Sequence, residues 1–158
     1  MNQAASAEAL TLAESTARAM FSRDSAAHAL GIQITEIAPG QATLTMTVRP
    51  DMLNGHRICH GGMIFLLADT TFAYACNSYN HNAVASACQI DFLVPAHEGD
   101  VLEAHAVEQT LSGKTGVYDI TVRLAATREA VALFRGKSHR IKGTVIESLH
   151  DAGDAAQK

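Results

Sequence analysis

The sequence predicts an α+β fold in which one buried helix lies against an antiparallel sheet of five or six strands. Three observations predict it. The run Met63 to Cys76 is apolar around nearly the whole helical circumference, the pattern of a buried helix. The segments on either side alternate with period two or are rich in β-branched residues, and short turn signals separate them. At 158 residues the chain has the length of one domain with a single core.

The elements follow in order. Residues 4–22 are Ala-rich, with Leu10, Ala13, Ala17, Met20 and Phe21 near helical spacing, and predict one helix or two short ones. Asp24 and Ser25 offer a cap for a further turn to Leu30, which Gly31 ends. Ile32, Ile34 and Ile37 lead to the turn pair Pro39-Gly40. In the next segment Leu44, Met46 and Val48 alternate with Thr43, Thr45 and Thr47, as in a half-buried strand. These two segments predict a hairpin. Pro50 to Gly55 reads as a loop, and the polar run Asn77 to Asn82 closes the central helix. Four strands are expected to follow: Ala83 to Val94, Asp100 to Leu111, Thr115 to Leu124 and Ala130 to Ile146. Three segments result: a helical extension over 1–24, the main domain over 25–146 and a polar tail over 147–158, expected to be mobile.

Composition narrows the function. With 47% hydrophobic and 18% charged residues the chain is ordinary for a globular protein. A net charge of −4 offers no electrostatic case for nucleic-acid binding. Three cysteines without CxxC spacing predict neither a disulfide framework nor a thiolate zinc site, and fit a reducing cytoplasm. The N-terminal residues lack the basic and apolar regions of a signal peptide, and no apolar stretch is long enough to span a membrane.

The chemistry centres on Asp69. An ionised carboxylate in an apolar helix is costly unless it is paired or functional. Its alternative role is a hydrogen bond to Thr70 or Thr71. Desolvation would raise its pKa, which suits proton transfer near neutrality. Upstream, His60-Gly61-Gly62 opens the helix. Free N–H groups at a helix start, aided by the dipole, can hold developing negative charge as an oxyanion hole; the alternative is a plain glycine turn. Gly61 and Asp69 are eight positions apart, about 12 Å along one helix at 1.5 Å per residue, so one carbonyl cannot reach both. If both serve one reacting carbonyl, they come from different chains packed about a two-fold axis. A sheet also covers only one side of an apolar helix, and a second copy is the simplest cover for the other. Asn54 is a candidate for water positioning or an ordinary turn residue, and His60 a candidate for orienting a carbonyl or stabilising the loop. Phe65, Phe72 and Tyr74 are pocket or core residues. His56 and His60 lack a third metal ligand. Gly113-Lys114-Thr115 lacks the upstream glycine of a P-loop, because position 108 is Glu108. Arg135, Lys137, Arg140 and Lys142, with His139, concentrate positive charge in one strand; they either anchor phosphates or form a solvated face.

The residues that carry this chemistry also carry a family likeness. Asn54-Gly55, Cys59-His60-Gly61-Gly62, Leu67-Ala68-Asp69-Thr70 and Phe72 to Ser78 resemble the hotdog-fold acyl-CoA thioesterases, and among them the PaaI-type subgroup of bacterial phenylacetate degradation. The likeness continues through Val84 to Cys88, Ile90 to Leu93, Thr115 to Ile120 and Val131 to Ile141, and covers roughly 25–143. It implies a hotdog fold, a central helix wrapped by the sheet. It also implies a dimer of dimers, metal-free catalysis with no cofactor beyond the coenzyme A of the substrate, and hydrolysis of phenylacetyl-CoA and its ring-hydroxylated relatives. By the matching motif the catalytic carboxylate is Asp69, the helix-start glycine Gly61, and the accompanying residues Asn54 and His60. Ser86 lies in the region where related enzymes use a hydroxyl to place water. Gly62, Thr70, Ser86, Lys114, Arg135 and Lys137 form the expected substrate-binding set, the last three on charge alone. The competing readings are a dehydratase of the same fold, a thioesterase for other short acyl-CoAs, and a non-catalytic acyl-CoA binding module.

Overall fold

Ser6 accepts a hydrogen bond from the Ala9 N–H at 3.2 Å and caps a helix over Ala7–Phe21 (α1), using a donor that the first turn leaves without an intrahelical partner. The computed structural model describes residues 5–147; the polar tail expected from 147 lies, from 148 onward, outside them. Asp24 caps the short helix Ser25–Ala29 (α2) through Ala27 N–H at 3.0 Å. Gly31, at φ +67°, takes the left-handed conformation that turns the chain out of α2. The hairpin follows as Gln33–Ala38 (β1) and Gln41–Thr47 (β2). The expected loop at 50–55 holds one 3-10 turn, Pro50–Met52. The central helix is Gly61–Asn77 (α3), followed by the strands Ala83–Phe92 (β3), Val101–Ser112 (β4), Thr115–Leu124 (β5) and Ala130–Arg140 (β6).

The six strands form one antiparallel sheet in the order β1-β2-β4-β5-β6-β3, and α3 packs against all of them. Residues paired in register share a face. The inner face carries Ala42, Leu44 and Met46 of β2, Leu102, Ala104 and Ala106 of β4, Tyr118, Ile120 and Val122 of β5, and Ala132 and Phe134 of β6, all buried. The alanines let the sheet curve close to the helix. From α3 they meet Ile64, Leu67, Ala68, Phe72 and Ala75; burying each large aliphatic or aromatic side chain stabilises by about 1.5–3 kcal/mol. α1 packs on β1 and α3, and Tyr74 Oη donates to Asp24 Oδ2 at 3.2 Å, tying the α2 cap to the central helix.

Two strands end two or more residues before expectation. β3 ends at Phe92 rather than Val94, and β6 ends at Arg140 rather than near Ile146. After β6 the chain bends back over the end of α3. Asn82 N–H donates to the Gly143 carbonyl at 3.2 Å, and Asn80 exchanges side-chain bonds with Ile146 at 2.8 and 3.2 Å. Gly143, at φ +90°, permits that bend. The alternation along β6 also divides the basic cluster. Arg135, Lys137 and His139 occupy the exposed outer face, Arg140 takes the opposite phase, and Lys142 lies beyond the strand.

At Gly136 the helix touches the sheet so closely that an added Cβ would stand 2.9–3.0 Å from three carbons of the Phe72 ring. Gly136→Ala is therefore expected to destabilise the fold by about 1–3 kcal/mol, because the ring is packed on all sides; urea unfolding compared with wild type checks it.

Candidate active site

Asp69 sits midway along α3, half-buried. Among the described residues no Lys, Arg or His forms an ion pair with it. Thr71 does not hold it either: that hydroxyl donates to the Leu67 carbonyl at 2.7 Å. The neighbour that does reach Asp69 is the Cys88 thiol, with Sγ 3.9 Å from Oδ1. Desolvation raises the Asp69 pKa above the ordinary carboxylate value, and the Cys88 hydrogen bond offsets part of that rise. The thiol is in turn raised by its own burial and by the carboxylate. A carboxylate held without a cation and biased toward its protonated form can accept and return a proton.

Cys88 reaches the helix because β3 carries a bulge. The pairing with β6 slips between Ala85 and Ala87, leaving Ser86 as the extra residue. Beyond the bulge Cys88, Ile90 and Phe92 pair with Gly136, Phe134 and Ala132, the inner-face residues of β6. The Ser86 hydroxyl donates to the Lys137 carbonyl at 3.1 Å, so it is engaged in holding the bulge.

At the other end of α3, His60 is the N-cap. Its Nδ1 accepts the Gly62 N–H at 2.9 Å. That bond uses one of the two donors expected to be free. Gly61 N–H, by contrast, makes no hydrogen bond among the described residues. Both glycines are closely approached: a Cβ on Gly61 would lie 3.1 Å from the Phe92 ring, and one on Gly62 would lie 3.1 Å from His60 Nδ1, so a side chain at either position would have to push its neighbour aside. Asn54 folds the preceding loop, its Oδ1 accepting from His56 N–H at 2.9 Å and Ile58 N–H at 3.4 Å. Asn54 and Gly61 line one cleft of about 330 Å³ with Ile64, Phe92 and Leu93. Asp69 lines a different one of about 330 Å³. One chain thus brings Asn54, His60 and Gly61 together, and holds Asp69 two turns away.

The remaining candidates are spread out. Thr70 follows Asp69, half-buried. Lys114 is exposed in the β4–β5 turn, and Lys137 is exposed on the outer face of β6. Arg135 makes a two-pronged pair with Asp119 at 2.6 and 2.7 Å, so its charge is already matched. Phe65 packs on Phe134 with ring centres 5.3 Å apart, and Tyr74 is core. Sequence reasoning missed Cys88 and Phe92, since only the bulge turns them toward α3. It also missed Met20, Arg23 and Val145, which share the Asp69 cleft; nothing local in sequence links them. Among the described residues no three His, Cys, Asp or Glu side chains cluster as metal ligands, and no helix is long and apolar enough to cross a membrane.

The side of α3 away from the sheet is open. Gly62, Leu66, Asp69 and Ala73 fall along it at helical spacing, none of them fully buried. Beside it β3 is an edge strand of ten residues, nearly all exposed. This is the uncovered apolar face expected from the sequence.

Comparison with known proteins gives the lineage. The thioesterase superfamily model matches residues 56–131. The chain is 56% identical over 129 residues to the acyl-coenzyme A thioesterase PaaI of Escherichia coli (strain K12), covering 82% of this chain and 91% of that protein. The solved structure of the E. coli PaaI protein from the phenylacetic acid degradation operon superimposes with a TM-score of 0.84 at 54% identity, over 85% of this chain and 97% of that one. A Streptococcus mutans UA159 protein solved with bound acetyl CoA superimposes with a TM-score of 0.67 at 25% identity, over 72% of this chain and 90% of that one. The six-stranded sheet wrapped on α3 is thus the hotdog fold, and the chain belongs to the thioesterase superfamily as a PaaI-type acyl-CoA thioesterase, a thioester hydrolase.

Proposed function

We propose that the enzyme hydrolyses phenylacetyl-CoA and ring-hydroxylated phenylacetyl-CoAs to the free acid and coenzyme A, at a site shared between two copies of the chain. The observation that carries this reading is the position of Asp69. It is a half-buried carboxylate without a cation, on the uncovered side of the helix whose start offers the Gly61 N–H. The aromatic acyl group is taken from the similarity to PaaI, whose structure is described as part of a phenylacetic acid degradation operon.

Two copies packed with their α3 helices antiparallel bring Asp69 of one chain to the Gly61 end of the other, twice by symmetry. The thioester oxygen accepts the Gly61 N–H, where the helix dipole favours negative charge. Asp69 removes a proton from water as the water oxygen bonds to the carbonyl carbon. The tetrahedral oxyanion then collapses, the C–S bond breaks, and Asp69 returns the proton to the departing thiolate. Direct attack by Asp69 through a mixed anhydride uses the same groups; oxygen-18 recovered in the Asp69 carboxyl after single-turnover hydrolysis in labelled water marks that route, with water attacking the Asp69 carbonyl of the anhydride. Asn54 and His60 complete the Gly61 side, the one through its side-chain amide and the other by holding the helix start. Gly62 supports that start through the His60 bond, and Thr70 and Ser86 flank Asp69 and the bulge. Lys114 and Lys137 are the free cations proposed for the coenzyme A phosphates; Arg135 contributes less, because Asp119 already neutralises it.

Asp69→Asn is expected to reduce kcat for phenylacetyl-CoA by at least about a hundredfold, read as thiol release, with the oligomer intact. A correctly assembled variant that keeps its rate contradicts the proposal. The same substitution should not cost stability. A carboxylate whose folded pKa is raised weakens the fold as it ionises, so wild type loses stability as pH climbs from about 3.8 through the raised value. The Tm of Asp69→Asn relative to wild type should accordingly be higher at pH 8 than at pH 4. Catalysis needs the ionised form, so activity falls as pH drops through the raised pKa. Cys88→Ala, which removes the contact that lowers it, should move that acid limb to higher pH.

A further inference from the structure

The cleft that holds Asp69 continues past it toward the C-terminal end of α3. Asp69, Phe72, Ala73, Cys76 and Asn77 form one stripe of the helix wall, and Ala83, Val84 and Ala85 of β3 form the facing wall. Alanines at 73, 83 and 85 leave room between helix and strand, and the wall is mainly apolar. Asn77 and Asn82 are the polar residues at the far end, and Asn77 is held within the chain: its Nδ2 donates to the Ala73 and Ala83 carbonyls at 2.9 and 3.0 Å, and its Oδ1 accepts Ala83 N–H at 2.9 Å. Parts of the chain remote from α3 border the same cleft. Met20 and Arg23 come from the end of α1 and the connection after it, and Val145 from the segment that bends back after β6. They are tied together by Arg23 Nη2, which donates to the Val145 carbonyl at 3.0 Å.

We infer that this cleft is the acyl-binding pocket, that Met20 and Val145 form its end wall with Arg23 as the pin between them, and that this wall limits the length of the apolar acyl group accepted. The inference rests on the proposed reaction at Asp69 and adds where the acyl chain goes. With the carbonyl at Asp69, an acyl group running along the stripe has roughly two helical turns, about 12 Å from Asp69 to Asn77, at its disposal. The volume of about 330 Å³ lies at the lower end of small-molecule pockets, enough for a single aromatic ring on a short arm. Asn77 spends both amide hydrogens within the chain, Asn82 beside it donates to the Lys142 carbonyl at 3.2 Å, and Arg23 is held on the Val145 carbonyl, so selection along this mainly apolar wall is chiefly by shape. In an apolar pocket one methylene is worth about 10–200-fold in kcat/KM, so a small change at the wall reads out clearly.

The test measures kcat/KM for acetyl-, phenylacetyl- and 4-phenylbutyryl-CoA in full-length wild type and three variants. Met20→Ala and Val145→Ala open the end wall and should each raise the ratio of 4-phenylbutyryl- to phenylacetyl-CoA about tenfold. Ala73→Leu fills the middle and should lower the ratio of phenylacetyl- to acetyl-CoA about tenfold. If Val145→Ala disturbs the fold, Met20→Ala on the surface helix still decides, and Ala73→Leu is read only in protein whose oligomeric state matches wild type. Ratios within about twofold of wild type in folded variants, with wild type active and Asp69→Asn inactive, would overturn the pocket assignment while leaving the reaction standing. Absence of hydrolysis by wild type for all three esters would overturn the reaction itself, and the pocket with it.

Discussion

The helix α3 has apolar side chains around nearly its whole circumference, and one sheet can cover only part of it. Everything else in the structure answers to that constraint. The inner faces of β2 to β6 are given over to α3 while β1 packs mainly on α1, with small residues where the central helix presses closest and Gly136 where the Phe72 ring leaves no room for a Cβ. The side left open carries Leu66 and Ala73 together with Asp69, and it runs beside an exposed edge strand. A carboxylate on such a stripe is tolerable because it remains half-exposed in one chain. Covering the stripe with a second copy would desolvate it further, in the direction that its raised pKa already takes.

The division of labour along α3 follows from helix geometry. The N-terminal end concentrates unpaired N–H groups and the positive end of the dipole, and His60 removes the Gly62 donor from that set while leaving Gly61. Two turns on, the same helix offers a base. These halves are complementary chemically but too far apart to act on one carbonyl, so the proposed pairing of two helices about a two-fold axis turns a limitation of one chain into two equivalent sites. The bulge at Ser86 belongs to the same design. It shifts the phase of β3 so that Cys88 faces Asp69 and Phe92 faces Gly61, one inner-face residue for each half.

The central helix, the Pro39-Gly40 hairpin and the strong alternation of β2 were legible in sequence because their side chains contrast sharply in polarity. The motif around Asp69 was legible because its residues are adjacent. The phase of β3 was not: Ala83 to Cys88 are small residues whose alternation carries little signal, so nothing there announces a bulge. The end of β6 was misjudged because Ile141, Val145 and Ile146 continue a strand-like composition. What stops the strand is Gly143 and the side-chain bonds to Asn80 and Asn82, some sixty residues away. Distance in sequence likewise hid the match of Arg135 with Asp119 and the convergence of Met20, Arg23 and Val145 on the Asp69 cleft.

The central claim is that Asp69 of one chain works with Gly61 of another, and subunit complementation tests it most directly. Asp69→Asn and Gly61→Ala proteins, each inactive alone, would be mixed under conditions where mass spectrometry of isotope-labelled chains proves exchange. A hybrid pair holds one intact site of two, and random exchange makes half the pairs hybrid, so about a quarter of wild-type activity should return. No recovery despite proven exchange would mean that each chain carries its whole site, and would contradict the account.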